Sequence, residues 1–411
     1  MVMPNNCLIY DIETSTNGAS FQELEKHKLR FFGAYSYLDK KYYLLDHTQK
    51  EEIKQLISRH KFFIGFNNHH YDNPILEREG IRFTYKIIID LKKIIDQRQM
   101  SIKWKTSVLG YHLPDLSLNT ITRILELVDN ETAKGDIDYK ILDKEEFTKE
   151  EYNEIKKYTI RDIEITKKLW EWIFDYFKDS KELMSLKDAN DLKYLTSSTA
   201  VFAYKHICKI CDLKEIYDSN KISNKNFSGG YVAHPTGETF KGDILLFDFS
   251  SLYPNLFIMG NLFANNCDCC SEKEKWTGDG FFNIKGGTCK KKLHLLSEAL
   301  KNVYLKRAKL KSEKNPKEYF YKIVINSLYG AVSNPVFKNI YNLTAAENCT
   351  SLGRQFILYA RKRFREEGYK NIMSDTDSVM ILIPKNKNKY DAQILADTIV
   401  EELLIHMPFD W

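Results

Sequence analysis

An apolar run at residues 7–10 ends on Asp11, the pattern of a strand that delivers a carboxylate at its end. Two further strand-like stretches, 31–37 and 42–45, flank Asp39-Lys40-Lys41, which has the polar character of a hairpin turn. The first 110 residues thus predict a mixed α/β unit built on a sheet. Between 150 and 177, Ile155, Tyr158, Ile163, Leu169 and Ile173 recur at helical spacing, which predicts a long amphipathic helix. Helical signal continues to about Cys211. Ser228-Gly229-Gly230 then punctuates the chain, and residues 244–247 read as a buried strand ending on Asp248. A domain boundary is expected at roughly 180–230. Beyond it come a Cys/Gly-rich loop region at 264–289, a basic helical region at 290–330, another helix, and a strand-turn-strand around Asp375.

Composition narrows the class. The chain has 411 residues, 43% hydrophobic and 28% charged, as an ordinary globular protein of two to four domains has. Its formal excess of +5 is too small to argue for a nucleic-acid partner, so the distribution of charge must decide. No apolar stretch approaches the roughly 20 residues that span a bilayer, which predicts no membrane insertion. The N-terminus has no secretory pattern, and eight cysteines are too sparse for a disulfide scaffold, so a cytoplasmic, reducing location is expected. The apolar terminus at 403–411 lacks the polar fraying of a domain end and predicts that the sequence is truncated.

Four acidic positions in the N-terminal half can build a metal site. Asp11 and Glu13 lie two apart on a strand, on one face. Asp72 lies in the polar stretch 65–74, and Asp162 follows Tyr158 by four residues on a helix. Mg²⁺ takes oxygen ligands, so four carboxylates suffice to hold two ions. The bland alternatives are a solvated strand edge and a surface Tyr/Asp pair.

The C-terminal half concentrates charge of the opposite sign. Residues 290–322 hold 11 Lys/Arg against 3 Glu, more than the excess of the whole chain. Asn315-Pro316 divides this region into two helical segments. Arg307 and Lys311 lie four apart on the first, Lys322 and Asn326 four apart on the second, and a hairpin turning at Asn315 sets Arg307 and Lys322 at one level. A solvated pair of charged helices is the alternative. Asp375 and Asp377, two apart, are expected on one face of a hairpin, near the Asp248 strand end. Phosphoryl transfer at two metals needs such converging acids, with cations to neutralise a triphosphate.

These motifs carry a resemblance. DIET (11–14), GFNNHHYDNP (65–74) and YTIRD (158–162) resemble, in order, the three exonuclease motifs of the DEDD proofreading nucleases with Tyr in the last motif. DFSSLYP (248–254), KIVINSLYG (322–330) and SDTDS (374–378) resemble motifs A, B and C of the family B DNA polymerases of phage and viral type. The resemblance runs from about residue 7 to 385. It implies an α/β and α+β multidomain fold: a ribonuclease H-like 3′–5′ exonuclease at 1–180 and a helical linker region at 181–230. A palm of antiparallel sheet and helices follows at 231–290 and 336–411, with a helical fingers hairpin at 291–335 between them and the thumb lacking. It also implies that Asp11, Glu13, Asp72 and Asp162 bind two Mg²⁺ or Mn²⁺ ions, that Tyr158 orients the attacking water, and that Asn67 holds the frayed 3′ end. Asp248 and Asp377, with Asp375 beside them, would hold two more ions. Arg307, Lys311, Lys322 and Asn326 would grip the triphosphate, Tyr253 would stack under the sugar, and Tyr329 would pack the nascent base pair. Primer-template DNA and dNTPs are the implied partners, priming and replisome proteins being left open.

Some positions depart from the family pattern. Met373-Ser374 stands where motif C carries Tyr-Gly, and Ser is small enough for the turn. Phe227-Ser228-Gly229-Gly230 keeps the ring of the linker motif but drops a hydroxyl; Gly229 and Gly230 would contact DNA. Lys134-Gly135-Asp136-Ile137 with Tyr139 resembles a segment of protein-primed phage polymerases in which the Lys supports the catalytic carboxylates. A surface turn is the alternative. Cys267, Cys270 and Cys289 suggest a structural Zn²⁺ site with Cys269 or His294 as fourth ligand, against free thiols. Tandem His69-His70 is expected to face solvent, and Cys208 and Cys211 to pack in a core. The competing functions are an exonuclease or DNA-binding fragment whose polymerase half is inactive for want of a thumb, and a single-strand-binding or scaffold fragment.

Overall fold

The opening apolar run becomes β1 (Cys7–Ser15), which is buried along nearly its whole length because it lies in the middle of a five-stranded sheet. It pairs antiparallel with β2 (Lys28–Ser36), which pairs antiparallel with β3 (Lys41–Asp46). After α1 (Lys50–Arg59) the chain returns as β4 (Phe62–Gly65), parallel to β1. Then α2 (Asp72–Arg78) leads to β5 (Ile87–Asp90), parallel to β4. The order is β3-β2-β1-β4-β5. Strands flanked on both sides need no alternation, which is why β4 reads Phe-Phe-Ile-Gly and is wholly buried.

α3 (Leu91–Arg98) and α4 (Leu118–Ile124) precede α5 (Lys149–Lys178), the 30-residue amphipathic helix expected from the 3.6-residue period. Its apolar side, including Ile155, Ile163, Leu169 and Trp170, is buried. α5 reaches the sheet at Gly33, where a Cβ would stand 2.4 Å from Thr159 Cγ2 and 2.7 Å from Ile163 Cδ1. Only glycine allows helix and strand to meet so closely.

This computed structural model describes residues 3–98, 116–129, 137–178, 189–218, 228–234, 237–315 and 318–410. Lys134 and Phe227 lie outside them. The chain divides into two compact units, Met1–Phe202 and Ala203–Trp411. α6 (Thr199–Ile210) spans the division, and its Cys208, like Cys211, is buried as expected.

The second unit is built on an all-antiparallel sheet of four strands, β6 (Val232–Ala233), β7 (Ile244–Asp248), β8 (Lys370–Asp375) and β9 (Ser378–Leu382), in the order β6-β8-β9-β7. One expectation fails here. The strand at 244–247 is not buried: Ile244, Leu246 and Asp248 are exposed, Leu246 by 59%. β7 is an edge strand with one bare face. Its other face is covered, and Phe247 stacks on Phe364 of α10 (Leu343–Glu366) at 5.2 Å. α7 (Leu252–Met259) follows β7 directly. α8 (Leu295–Ser312) and α9 (Glu318–Val332) pack against each other, and α11 (Lys389–Leu404) closes the described fold.

Candidate active sites

In the first unit Asp11, Glu13, Asn67, Asp72, Tyr158 and Asp162 line one cleft of about 420 Å³. They come from separate parts of the chain. Asp11 and Glu13 stand on β1, Asp72 opens α2, and Tyr158 and Asp162 share a face of α5. Thr159, pressed in by Gly33, donates to Glu13 Oε1 at 3.1 Å and fixes that carboxylate. The Asp72 carboxyl is held well above the usual carboxylate range, first by complete burial and then by the neighbouring Asp11. Crowded, buried oxygen donors of this kind fit a divalent cation, which relieves both penalties.

Two supporting residues emerge from the structure, Asp90 behind the Asn67 loop and Tyr139 in the cleft lining. Asp90, buried at the end of β5, accepts the Asn67 N–H at 3.0 Å and the His69 N–H at 3.3 Å. It thereby holds Asn67 in its left-handed conformation, φ 64°. The signal was present in Ile87-Ile88-Ile89-Asp90, another apolar run ending on an acid. Tyr139 was noted only for its motif; its hydroxyl lies 2.6 Å from that of Tyr158. His69 and His70 face solvent, as expected.

In the second unit Asp248 ends β7 opposite Ser378, the first residue of β9. The Phe249 N–H donates to Asp377 O at 2.8 Å, tying the two acidic segments together. The tight turn has Thr376 at φ 50°, and the Thr376 N–H donates to Tyr231 O. Ser374 is not part of this turn: it is buried within β8 and accepts from Arg361 Nη1 at 2.8 Å. Its small size serves packing under the strand. The Asp377 carboxyl is raised by burial, then by Asp248, with a smaller contribution from Asp375 and an opposing one from Lys322. Three acids and a lysine thus share one field, and the donor set again fits a hard cation.

Gly230 packs against Thr376 and the Tyr253 hydroxyl, where a Cβ would meet atoms at 2.8–3.0 Å, while Gly229 is open. Tyr253 and Tyr329 have ring centroids 5.0 Å apart. Burial lifts the Tyr253 phenol to about 12, so it stays a neutral donor at ordinary pH. Lys311, Lys322 and Asn326 are exposed. Arg307 is buried, donating to Ser251 Oγ at 2.8 Å and to Glu318 Oε2 at 3.2 Å. Ser251 and Glu318 are thus positioning partners that the sequence reading passed over.

Cys267, Cys269, Cys270 and Cys289 converge into a group able to hold a metal ion. Cys269 is the fourth member. His294 instead caps α8, its Nδ1 accepting the Leu296 N–H at 3.2 Å. No described helix is long and apolar enough to cross a membrane.

The chain is thus a mixed α/β protein with acids clustered in each unit. It is similar to the family B DNA polymerase of the hyperthermophilic archaeon Pyrobaculum calidifontis, with a TM-score of 0.61 at 15% identity, over 97% of this chain and 55% of that one. The family profile DNA polymerase family B matches residues 186–403, more than half of the chain, and the protein belongs to that family. It is 25% identical to a DNA polymerase of fowlpox virus over 55% of this chain and 27% of that protein. It is 22% identical to DNA polymerase 1 of Aeropyrum pernix over 81% of this chain and 38% of that one. The chain therefore spans well under half the length of these curated relatives.

Proposed function

We propose that this chain is a template-directed DNA polymerase that adds dNTPs to a primer 3′ end and carries a 3′–5′ proofreading exonuclease in its first unit. The observation that carries the reading is the junction of Asp248 and Asp377 at adjoining strand ends, with Lys322 in their field, in a chain of this family. In this reading the second unit supplies palm and fingers, and the first a ribonuclease H-like nuclease.

Asp248, Asp377 and Asp375 would hold Mg²⁺ or Mn²⁺, as would Asp11, Glu13, Asp72 and Asp162. When bound, the ions lower the pKa of the attacking hydroxyl or water and neutralise charge developing on phosphate oxygens. The residues do the rest. Arg307, Lys311, Lys322 and Asn326 bind the triphosphate and align its α-phosphorus with the primer 3′-hydroxyl, pyrophosphate leaving in line. Tyr253 lies under the sugar, where its ring leaves no room for a 2′-hydroxyl, and Tyr329 packs beside the new base pair. Gly229 and Gly230 admit DNA backbone closely. In the nuclease cleft Asn67 holds the 3′ nucleotide and the Tyr158 hydroxyl, supported by Tyr139, orients the water.

Primer extension by the 411-residue chain with Mg²⁺ and four dNTPs tests the polymerase. Extension that disappears in Asp377→Ala supports it. Extension that Asp377→Ala leaves intact refutes the site, and 3′ trimming without any extension favours the nuclease alone.

A further inference from the structure

The four cysteines near the start of α8 have no part in the reaction above, yet their arrangement is specific. Their sulfurs all lie within 4.8 Å of one another. Cys269 and Cys289 are separated by 3.3 Å, Cys270 and Cys289 by 3.6 Å, and Cys269 and Cys270 by 3.9 Å. A disulfide requires about 2.05 Å, and all four are free thiols. One ion bonded to four sulfurs at about 2.3 Å has tetrahedron edges of about 3.8 Å, close to the spacing observed. A cluster of four irons and four sulfides would hold its thiolates farther apart than a single ion does.

The surrounding chain is organised to keep the four together. Trp276 and Thr288 exchange two backbone hydrogen bonds, folding the loop so that Cys289 returns to 267–270. Ser271 and Glu274 form a capping box directly after Cys270. Four thiolates around a divalent ion carry two net negative charges. Lys275 and Lys291 stand within Coulomb reach of the sulfurs, and Lys291 Nζ also donates to Cys269 O.

We propose that Cys267, Cys269, Cys270 and Cys289 bind one Zn²⁺ as a structural clamp that fixes the start of α8 to the end of α7. The link between the helices is visible in Asn261, just past α7. Its Nδ2 donates to Cys289 O and Lys292 O, and its Oδ1 accepts from the His294 N–H and the Ser297 hydroxyl. Cys289 N–H also donates to Ala264 O. The clamp thus sets the base of the helix that carries Arg307 and Lys311 against the helix that carries Tyr253. Metal binding stands independently of the polymerase reading; its effect on dNTP binding rests on that reading.

The test uses the 411-residue chain, purified without metal-affinity steps. Elemental analysis should find about one zinc per chain, lost in Cys289→Ser and in Cys269→Ser, the latter altering an exposed side chain that contributes little packing. Cobalt exchange should give the thiolate charge-transfer and tetrahedral ligand-field bands of a four-sulfur site. Stripping the zinc should lower the thermal midpoint by more than about 5 °C, reversed on adding Zn²⁺. In primer extension the stripped protein should show a dNTP KM raised severalfold with a smaller change in kcat. A folded, metal-free chain with four freely titrating thiols overturns the proposal, and so does iron with acid-labile sulfide. If extension is absent altogether, metal content and thermal midpoint still decide.

Discussion

Glu13, Asp72 and Asp162 lie in the first unit's cleft with 6%, 3% and 2% of their surface exposed, whereas Asp248 and Asp375 stand in solvent on the second sheet. Glu13 stands on β1 with Asp72 on α2 and Asp162 on α5, whereas Asp248 and Asp375 end β7 and β8, and burial differs because the position of the strands differs. β1 is central and α5 lies across it, so its acids are enclosed; β7 is an edge strand, and the face carrying Ile244, Leu246 and Asp248 is bare. An enclosed cleft accepts a single unstacked strand end, while an open sheet face can take stacked duplex. If the two sites divide labour as proposed, the difference between them is one of access more than of donor chemistry.

The strongest way to break this comparison is to remove one acid at a time. Asp11→Ala should lower 3′ trimming of single-stranded DNA by at least about 10³-fold, roughly 4 kcal/mol of transition-state stabilisation, with extension unchanged within twofold. Asp377→Ala should do the reverse. Gel assays on one labelled primer-template, with and without dNTPs, measure both. Parallel loss of both activities from either substitution would show that the sites are not separable.

A smaller effect is expected one step back from the acids. Asp90→Asn keeps shape but replaces one acceptor oxygen by a donor, so the N–H of Asn67 or His69 loses its partner. The Asn67 loop should loosen, raising the KM of trimming by about 10-fold, as removal of supporting hydrogen bonds commonly does. Extension should not change. The analogous support in the open site is Glu318 beside Arg307, and Glu318→Gln should raise the dNTP KM by a few-fold only, because Ser251 still holds the guanidinium.

Packing at Gly33 sharpens the same contrast. Gly33→Ala brings a methyl into Thr159 Cγ2 and Ile163 Cδ1, and overpacking of this kind costs about 1–3 kcal/mol. The urea midpoint of the first unit should fall. Trimming should drop with it, because Thr159, Tyr158 and Asp162 move together on α5, and extension should be spared.

How far the sequence reveals all this depends on the period being read. The long helix α5 and the strands carrying Asp11 and Asp248 follow from local pattern, although β1 runs on past Asp11 to Ser15, and the cleft residues were legible because DIET, GFNNHHYDNP and YTIRD place them in order. Burial of β7 was not legible. A run of four apolar residues looks the same in the centre of a sheet and at its edge, and only the β6-β8-β9-β7 order decides. Asp90 stands in a legible place, after an apolar run, but its hold on the N–H groups of Asn67 and His69, 23 and 21 residues away, has no local spacing that would reveal it. The fourth cysteine was ambiguous for a similar reason: His294 was an equal candidate until its ring nitrogen was seen to cap α8.

The finest distinction between the sites is their response to pH when metal is withheld. Asp72 has its carboxyl raised in the folded state by burial and by Asp11, so the folded protein retains that proton at pH values where the unfolded chain has lost it. Its contribution to stability is fully present below the unfolded pKa and is lost as pH rises through the higher folded value. In EDTA, therefore, the urea midpoint of the first unit should decline as pH is raised from the acid side. Asp72→Asn should flatten that decline, and Mg²⁺ should also offset it by favouring the ionised carboxylates. Asp377 is raised in the same direction but is only partly buried, so Asp377→Asn should change the pH slope of the second unit less. Equal changes of slope from the two substitutions would mean that enclosure is not what separates the sites.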